Sequence, residues 1–297
     1  MPDSFAVILN AGSGNKQTEE KLRQLREAFS PYRLNPKIFL AHGGQALASA
    51  VQKALAEGYK MLAAAGGDGT VNAVAAEVLR AGAVLGILPM GTLNHLAKDL
   101  KISLDLKHAI ETLLFGRIAT IDAAQVNGKI FMNNSGIGLY PKLALLRERH
   151  QNLGKDKWLA FLLALGGIFW RYSFYNVRVE IKGKDIALKS PFIFVGNNKY
   201  EVEGLNLGVR QNINGGELSV LVLRHSTKWG LVILAGHALF GGLASHPDFD
   251  VYSTNRARVD TTKKFLAVAL DGEVITLPAP LEYSILPAAL KVLVPKI

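Results

Sequence analysis

The sequence predicts two domains of different class, an α/β domain with a parallel sheet over residues 1–120 and an antiparallel β-sandwich over residues 121–285. Three observations carry this. β-prone apolar runs alternate with helical patterns through the first hundred residues, glycine-rich turns recur where those runs end, and from about Ile121 the chain switches to short β-branched or aromatic-rich runs divided by Gly, Asn and Asp.

Residues 5–10 form the first apolar run, and Leu22, Leu25 and Phe29 then recur at helical spacing. Residues 36–40 form the second, followed by a helix face of Leu47, Ala50, Val51 and Ala54. Residues 60–65 form the third, followed by Val71, Val74, Ala75, Val78 and Leu79; residues 84–89 form the fourth, followed by a helix over 93–100. A β-α-β-α order calls for right-handed crossovers, helices on both faces, and ligands at the carboxyl ends of the strands. In the second domain, strands are expected at 177–181, 192–195, 218–223, 256–260 and 265–270, with helical insertions at 141–174 and 228–240. Asn133-Asn134-Ser135-Gly136 and Gly196-Asn197-Asn198 read as turns. The apolar tail 286–297 is expected to pack back on the first domain.

A chain of 297 residues with 49% hydrophobic side chains can build two real cores, so disorder is not the default. The absence of cysteine excludes disulfides, thiolate metal sites and a cysteine nucleophile, and fits a reducing compartment. The first residues lack the basic region and long apolar core of a signal peptide, so a cytoplasmic location is expected. With 34 basic against 24 acidic side chains the net charge is +10, which favours anionic partners: nucleotides, nucleic acid or an anionic membrane face. Nucleic acid is set aside because no aromatic-basic platform accompanies the charge. The apolar stretch 158–170 is too short to span a bilayer. Following the basic segment 142–157, it suits either a buried helix or a membrane interface.

Three of the four early strands end in turns suited to an anion. These are Asn10-Ala11-Gly12-Ser13-Gly14, Gly66-Gly67-Asp68-Gly69-Thr70, and Pro89-Met90-Gly91-Thr92-Leu93-Asn94. Strand, glycine turn and helix N-terminus together offer free backbone N–H groups to a phosphate, and Thr70 adds a hydroxyl. Asp68 would repel a phosphate unless a cation such as Mg²⁺ lies between them, so it points to metal-assisted phosphate handling; a tight βα turn with an Asp cap fits the same residues. Asn94 reads as the N-cap of the 93–100 helix, able also to face a phosphate. Asp271-Gly272-Glu273 follows the last of these strands. It can be a two-residue hairpin turn, or two carboxylates serving as a general base and its partner. Zinc-ligand spacing, a GxSxG elbow and a GxxxxGK[ST] loop are all absent.

The first loop with its Asn10, the Gly-Gly-Asp-Gly-Thr and Pro-Met-Gly-Thr-Leu-Asn turns, Asn134-Ser135-Gly136-Ile137-Gly138 and the late Asp-Gly-Glu together resemble the diacylglycerol kinase catalytic-domain family, which includes bacterial lipid kinases and sphingosine kinases. The resemblance spans nearly the whole chain. It implies an N-terminal ATP-binding domain and a C-terminal lipid-substrate sandwich, with Mg²⁺ accompanying ATP. It implies nucleotide contacts from Gly66, Gly67, Asp68, Gly69, Thr70 and Asn72, with Asn10, Gly91, Thr92 and Asn94 near the phosphates or ribose. It assigns Asp271 as proton acceptor from a lipid hydroxyl and Glu273 as its orienting or metal-linked neighbour. A lipid substrate also implies peripheral contact with an anionic membrane surface. Two departures stand out. Many members carry an Asp that helps hold a structural magnesium where this chain has Ser219, and a Thr where it has Ala41-His42. NAD kinase shares the glycine loop, but its usual Asn-Glu pair lacks a clear counterpart after the fourth strand. A non-catalytic nucleotide- or lipid-binding regulator is the remaining alternative.

Overall fold

The computed structural model describes residues 5–11, 15–138, 175–181, 184–190, 192–199, 210, 212–223 and 249–296. The expected insertions at 141–174 and 228–240, with the basic segment 142–157 and the apolar stretch 158–170, lie outside these. Two compact units result, one of residues 1–123 and 287–297, the other of residues 124–286.

The first unit runs β1 (Ala6–Asn10), α1 (Asn15–Phe29), β2 (Lys37–Ala41), α2 (Gly44–Ala56), β3 (Met61–Gly66), α3 (Asp68–Ala81), β4 (Val84–Pro89), α4 (His95–Asp99) and α5 (Leu106–Phe115). Its strands lie in the order β2-β1-β3-β4, all parallel. Continuous apolar runs build the two central strands because both faces are covered: Ala6–Leu9 and Leu62–Ala65 have no exposure at all. α2 packs on α3, and α1 on α5. The helix faces read from the sequence are the buried ones, Leu25 and Phe29, then Leu47, Ala50, Val51 and Ala54, then Val71, Val74, Ala75 and Val78.

The chain continues through β5 (Arg117–Val126), β6 (Lys129–Phe131), β7 (Asn134–Gly138), β8 (Tyr175–Ile181), β9 (Lys184–Ser190), β10 (Phe192–Asn197), β11 (Leu218–Leu223), β12 (Phe249–Thr254), β13 (Arg256–Thr261), β14 (Phe265–Leu270), β15 (Glu273–Pro278) and β16 (Leu281–Val294). In the second unit, β12-β11-β10-β7-β14-β15 form a six-stranded antiparallel sheet. Facing it are the antiparallel pairings of β8, β9, β13 and the start of β16, together with β5 and β6. Phe131, Val195, Val220, Val268, Leu281 and Tyr283 form the core between them. β16 is shared. Its first part pairs with β13, whereas Lys291 and Val292 pair in parallel with Val84 and Leu85 of β4.

Two polar stretches depart from the sequence expectation. Asn134-Ser135-Gly136 and Gly196-Asn197 are strand residues of the neighbouring β7 and β10, with Gly196 opposite Asn134, rather than turns. Their side chains find partners inside the sandwich, which offsets the cost of burying them. Ser135 Oγ and the Tyr283 hydroxyl lie 3.0 Å apart, and the Asn197 amide donates to the Met132 carbonyl at 2.8 Å. Burial pushes the Tyr283 pKa up, so the hydroxyl stays neutral. Tyr283→Phe leaves the buried Ser135 hydroxyl without this partner and is expected to cost about 1–2 kcal/mol in denaturant unfolding. No helix among the described residues is long and apolar enough to cross a membrane.

Candidate functional site

In the first unit the carboxyl ends of β1, β3 and β4 come together. The Met90 N–H donates to the Gly66 carbonyl at 2.9 Å, locking the β3 and β4 exits side by side. Beyond that bond the backbones touch: a Cβ built on Gly91 would collide with the Gly67 Cα and lie 3.0 Å from Asn94 Oδ1. Only glycine permits this approach, and it brings both turns to the head of α3. The first intrahelical bond of α3 runs from the Val71 N–H to the Gly67 carbonyl, so the earlier amides at Asp68, Gly69 and Thr70 have no partner within the helix. Such amides, with the positive end of the helix dipole, form an anion cradle.

Side chains trim the cradle. Asn10 Nδ2 donates to Thr70 Oγ1 at 3.0 Å, which leaves the Thr70 hydroxyl hydrogen to donate elsewhere. Lys21, which sequence reasoning did not single out, holds the end of β1 by donating to the Asn10 carbonyl at 2.9 Å. Both polar atoms of the Asn72 side chain are enclosed without a hydrogen-bond partner among the described residues. An orphaned amide of this kind on α3 is a candidate for a ligand contact. Thr92 is exposed at the β4 turn, and His42 is exposed beyond β2.

Asp68 and Asn94 differ from the cap expected in the sequence. Asn94 sits in the left-handed region at φ 51°, and its side chain turns back on Gly91, accepting from the N–H at 3.2 Å and donating to the carbonyl at 2.8 Å. The helix therefore begins at His95, and its first amide is capped by Asp68 Oδ1 at 2.6 Å. One Asp68 oxygen thus braces the β4 turn, and the other accepts none of the described hydrogen bonds.

In the second unit, Leu270 pairs with Glu273 across a two-residue turn in which Asp271 (φ 50°) and Gly272 (φ 94°) both adopt positive φ. The hairpin reading of Asp-Gly is therefore correct as to backbone. Its side chain does something more. Asp271 Oδ2 accepts from the Met132 N–H at 2.7 Å, and Oδ1 from the Asn133 and Asn134 N–H groups at 2.7 and 3.0 Å. Three consecutive amides form a nest filled by one carboxylate. Of the about four lone-pair positions on a carboxylate, one on Oδ2 is left for a further donor. Desolvation pushes the Asp271 pKa up to about 6, against the pull of the three amides and of the Arg210 charge. Glu273 is exposed at the start of β15 and makes no contact with this nest among the described hydrogen bonds.

A second-unit residue absent from the sequence reading is Arg210, 7% exposed, which donates from Nη1 to the Met132 carbonyl at 2.7 Å and from Nη2 to Asn133 Oδ1 at 3.2 Å. Among the described residues the structural-magnesium position offers a hydroxyl in place of a carboxylate. Ser219 is a buried hydroxyl in β11 opposite Gly196, and no group of three or more His, Asp or Glu able to hold a metal occurs among the described residues.

Two family models fall on the chain in succession: the diacylglycerol kinase catalytic domain on residues 4–126, and the YegS C-terminal NAD kinase beta sandwich-like domain on residues 148–294. The chain belongs to the diacylglycerol kinase catalytic-domain family. The first match takes in the Gly66–Thr70 and Gly91–Asn94 turns, and the second takes in Arg210, Ser219 and Asp271. Family members named "Probable lipid kinase YegS-like" from Yersinia pestis (strain Pestoides F) and Yersinia pseudotuberculosis serotype O:1b (strain IP 31758) are each 32% identical over 142 residues, 46% of this chain. The alignment spans about half, 47%, of the length of these relatives. Among solved structures, a diacylglycerol kinase from Bacillus anthracis str. Sterne aligns with a TM-score of 0.69 at 16% identity, covering 98% of this chain and 97% of the other. A second structure from that organism gives 0.75 at 19% identity with the same coverage. At these identities the structures speak for the family's fold, an N-terminal α/β domain with a parallel sheet followed by an antiparallel sandwich.

Proposed function

We propose that this protein is an ATP-dependent lipid kinase that transfers the γ-phosphoryl group to a lipid hydroxyl, with diacylglycerol or a related lipid alcohol as the leading substrate. The observation that carries the reading is the close approach of Gly67 and Gly91 at the head of α3, a cradle that a single Cβ would fill. Phosphoryl transfer needs positioning and charge neutralisation more than covalent help. The α3 amides at Asp68, Gly69 and Thr70, the Thr70 hydroxyl and the orphaned Asn72 amide are suited to hold the phosphates. Asn10, Gly91, Thr92 and Asn94 shape the surrounding turns. Mg²⁺, held by the nucleotide and the open oxygen of Asp68, would neutralise charge on the transferring group. Asp271, with one lone-pair position open and a pKa of about 6, is suited to accept the hydroxyl proton near neutral pH.

Asp68→Ala removes both the cation ligand and the cap on His95. It is expected to weaken Mg-ATP binding or turnover by roughly tenfold or more, for loss of at least one charge-assisted bond. Wild-type ATP kinetics in that variant would return Asp68 to a bracing role only. The net charge of +10 supports peripheral recruitment to anionic membrane, each well-placed Lys or Arg contributing ~1 kcal/mol. A screen of lipid extracts with labelled ATP, run beside NAD and short-chain diacylglycerol, tests the substrate class. Label in NAD alone would favour the NAD kinase reading. ATP binding with label in no acceptor would favour a non-catalytic regulator, a reading to which Asp271's engagement with three backbone amides lends support.

A further inference from the structure

The link between β6 and β7 is a stretch of backbone with its two sides put to opposite use. The N–H groups of Met132, Asn133 and Asn134 all point at the Asp271 carboxylate. The carbonyls are held from elsewhere: Met132 by Arg210 and Asn197, Asn133 by the Asn197 N–H at 2.8 Å, and Asn134 by the Asp271 N–H at 2.9 Å. The carbonyl of Met132 and the N–H of Asn133 belong to one planar peptide group. Arg210 therefore grips one end of the dipole whose other end donates to Asp271 Oδ1.

We propose that Arg210 is a positioning residue for Asp271, acting through the Met132–Asn133 peptide group to fix and strengthen the amide nest that aims the carboxylate. The inference rests on the reading of Asp271 as proton acceptor. A charged donor on the carbonyl polarises the peptide and makes its N–H a stronger donor, and hydrogen bonds in series reinforce one another inside a protein. The second contact, to Asn133 Oδ1, fixes the residue that contributes that N–H. Satisfying the Met132 carbonyl does not by itself require a guanidinium, because Asn197 already donates to it at 2.8 Å. The Arg210 charge also acts directly on Asp271, favouring the ionised carboxylate.

The test is a set of full-length variants, Arg210→Met, Arg210→Lys, Asp271→Asn and the Arg210→Met/Asp271→Asn double variant, assayed with short-chain diacylglycerol and ATP. Arg210→Met is expected to lower kcat roughly 10- to 100-fold, with the KM for ATP within about twofold, because the nucleotide contacts lie on other residues. Arg210→Lys keeps the charge but loses the two-pronged grip, and is expected to recover part of kcat. In the Asp271→Asn background, Arg210→Met should change the residual rate less than about threefold, since residues acting as a unit are not additive. Wild-type kcat in folded Arg210→Met, or the same factor lost with and without Asp271, would overturn the proposal. Should Arg210→Met fail to fold, Arg210→Lys with and without Asp271→Asn reads the same coupling, and equal losses in both backgrounds overturn it. Wild-type turnover in Asp271→Asn instead removes the proton-acceptor reading, whatever Arg210 does.

Discussion

Asp271→Asn is expected to lower turnover by roughly 10²–10⁴-fold while the KM for ATP stays close to wild type. The isosteric amide keeps an oxygen for the Asn133 and Asn134 N–H groups but sets an NH₂ against the Met132 N–H, and it cannot take up a proton. Steady-state kinetics with saturating lipid would show the fall in kcat; an unchanged kcat would remove Asp271 from the chemistry. The pH dependence follows from the same group. With a pKa of about 6, the base form gains population as pH rises through 6, so wild-type turnover should climb between about pH 5 and 7, and Asp271→Asn should lack that limb. Stability moves the other way. The folded pKa is raised from 3.8 to about 6, so the contribution of Asp271 is fully present below 3.8 and lost as pH rises through 6, a span of about 3 kcal/mol. Urea titrations at pH 4 and 7, each compared with Asp271→Asn, would expose that difference.

Gly91→Ala should produce the largest effect in the first unit. The added methyl meets the Gly67 Cα and the Gly67 nitrogen, the latter at 3.2 Å, and these are backbone atoms that no side-chain rotation can move aside. Separating the two turns should cost about 1–3 kcal/mol of stability, the usual scale of overpacking, and weaken ATP binding by tenfold or more. Gly44→Ala is the matched control. A Cβ there meets nothing within 4 Å at the first turn of α2, so stability should stay level or rise by a few tenths of a kcal/mol. Thermal melts and nucleotide titrations of the pair would separate a local collision from a general intolerance of alanine, and a wild-type nucleotide affinity in Gly91→Ala would refute the cradle.

The fold was readable because the period of the apolar residues is a local property. Residues 60–65 and 84–89 each lie within one residue of the strands they form, and the helix faces of α2 and α3 are those the spacing marks. Polar strands were not readable. Ser135 and Asn197 look like turn residues because their partners, Tyr283 and the Met132 carbonyl, are remote in sequence. The similar composition of the Gly66–Thr70 and Pro89–Asn94 turns marked the two glycines that meet, but the division of labour around them was not legible. Asp68 caps the first amide of the helix that begins at His95, while Asn94, at the N-cap position, turns its side chain back on Gly91. Arg210 escaped notice for a related reason. It lies in a stretch with neither period nor motif, and its buried state follows from contacts with residues 77 and 78 positions earlier in the chain.

The shared strand β16 has a consequence for biosynthesis. The edge of β4 emerges from the ribosome early, but Lys291 and Val292, which zip onto Val84 and Leu85, are made about 200 residues later. At about 5–20 residues per second, the nascent N-terminal unit carries an open, apolar strand edge for roughly 10–40 s. A chain cut short before residue 287 would never close that edge.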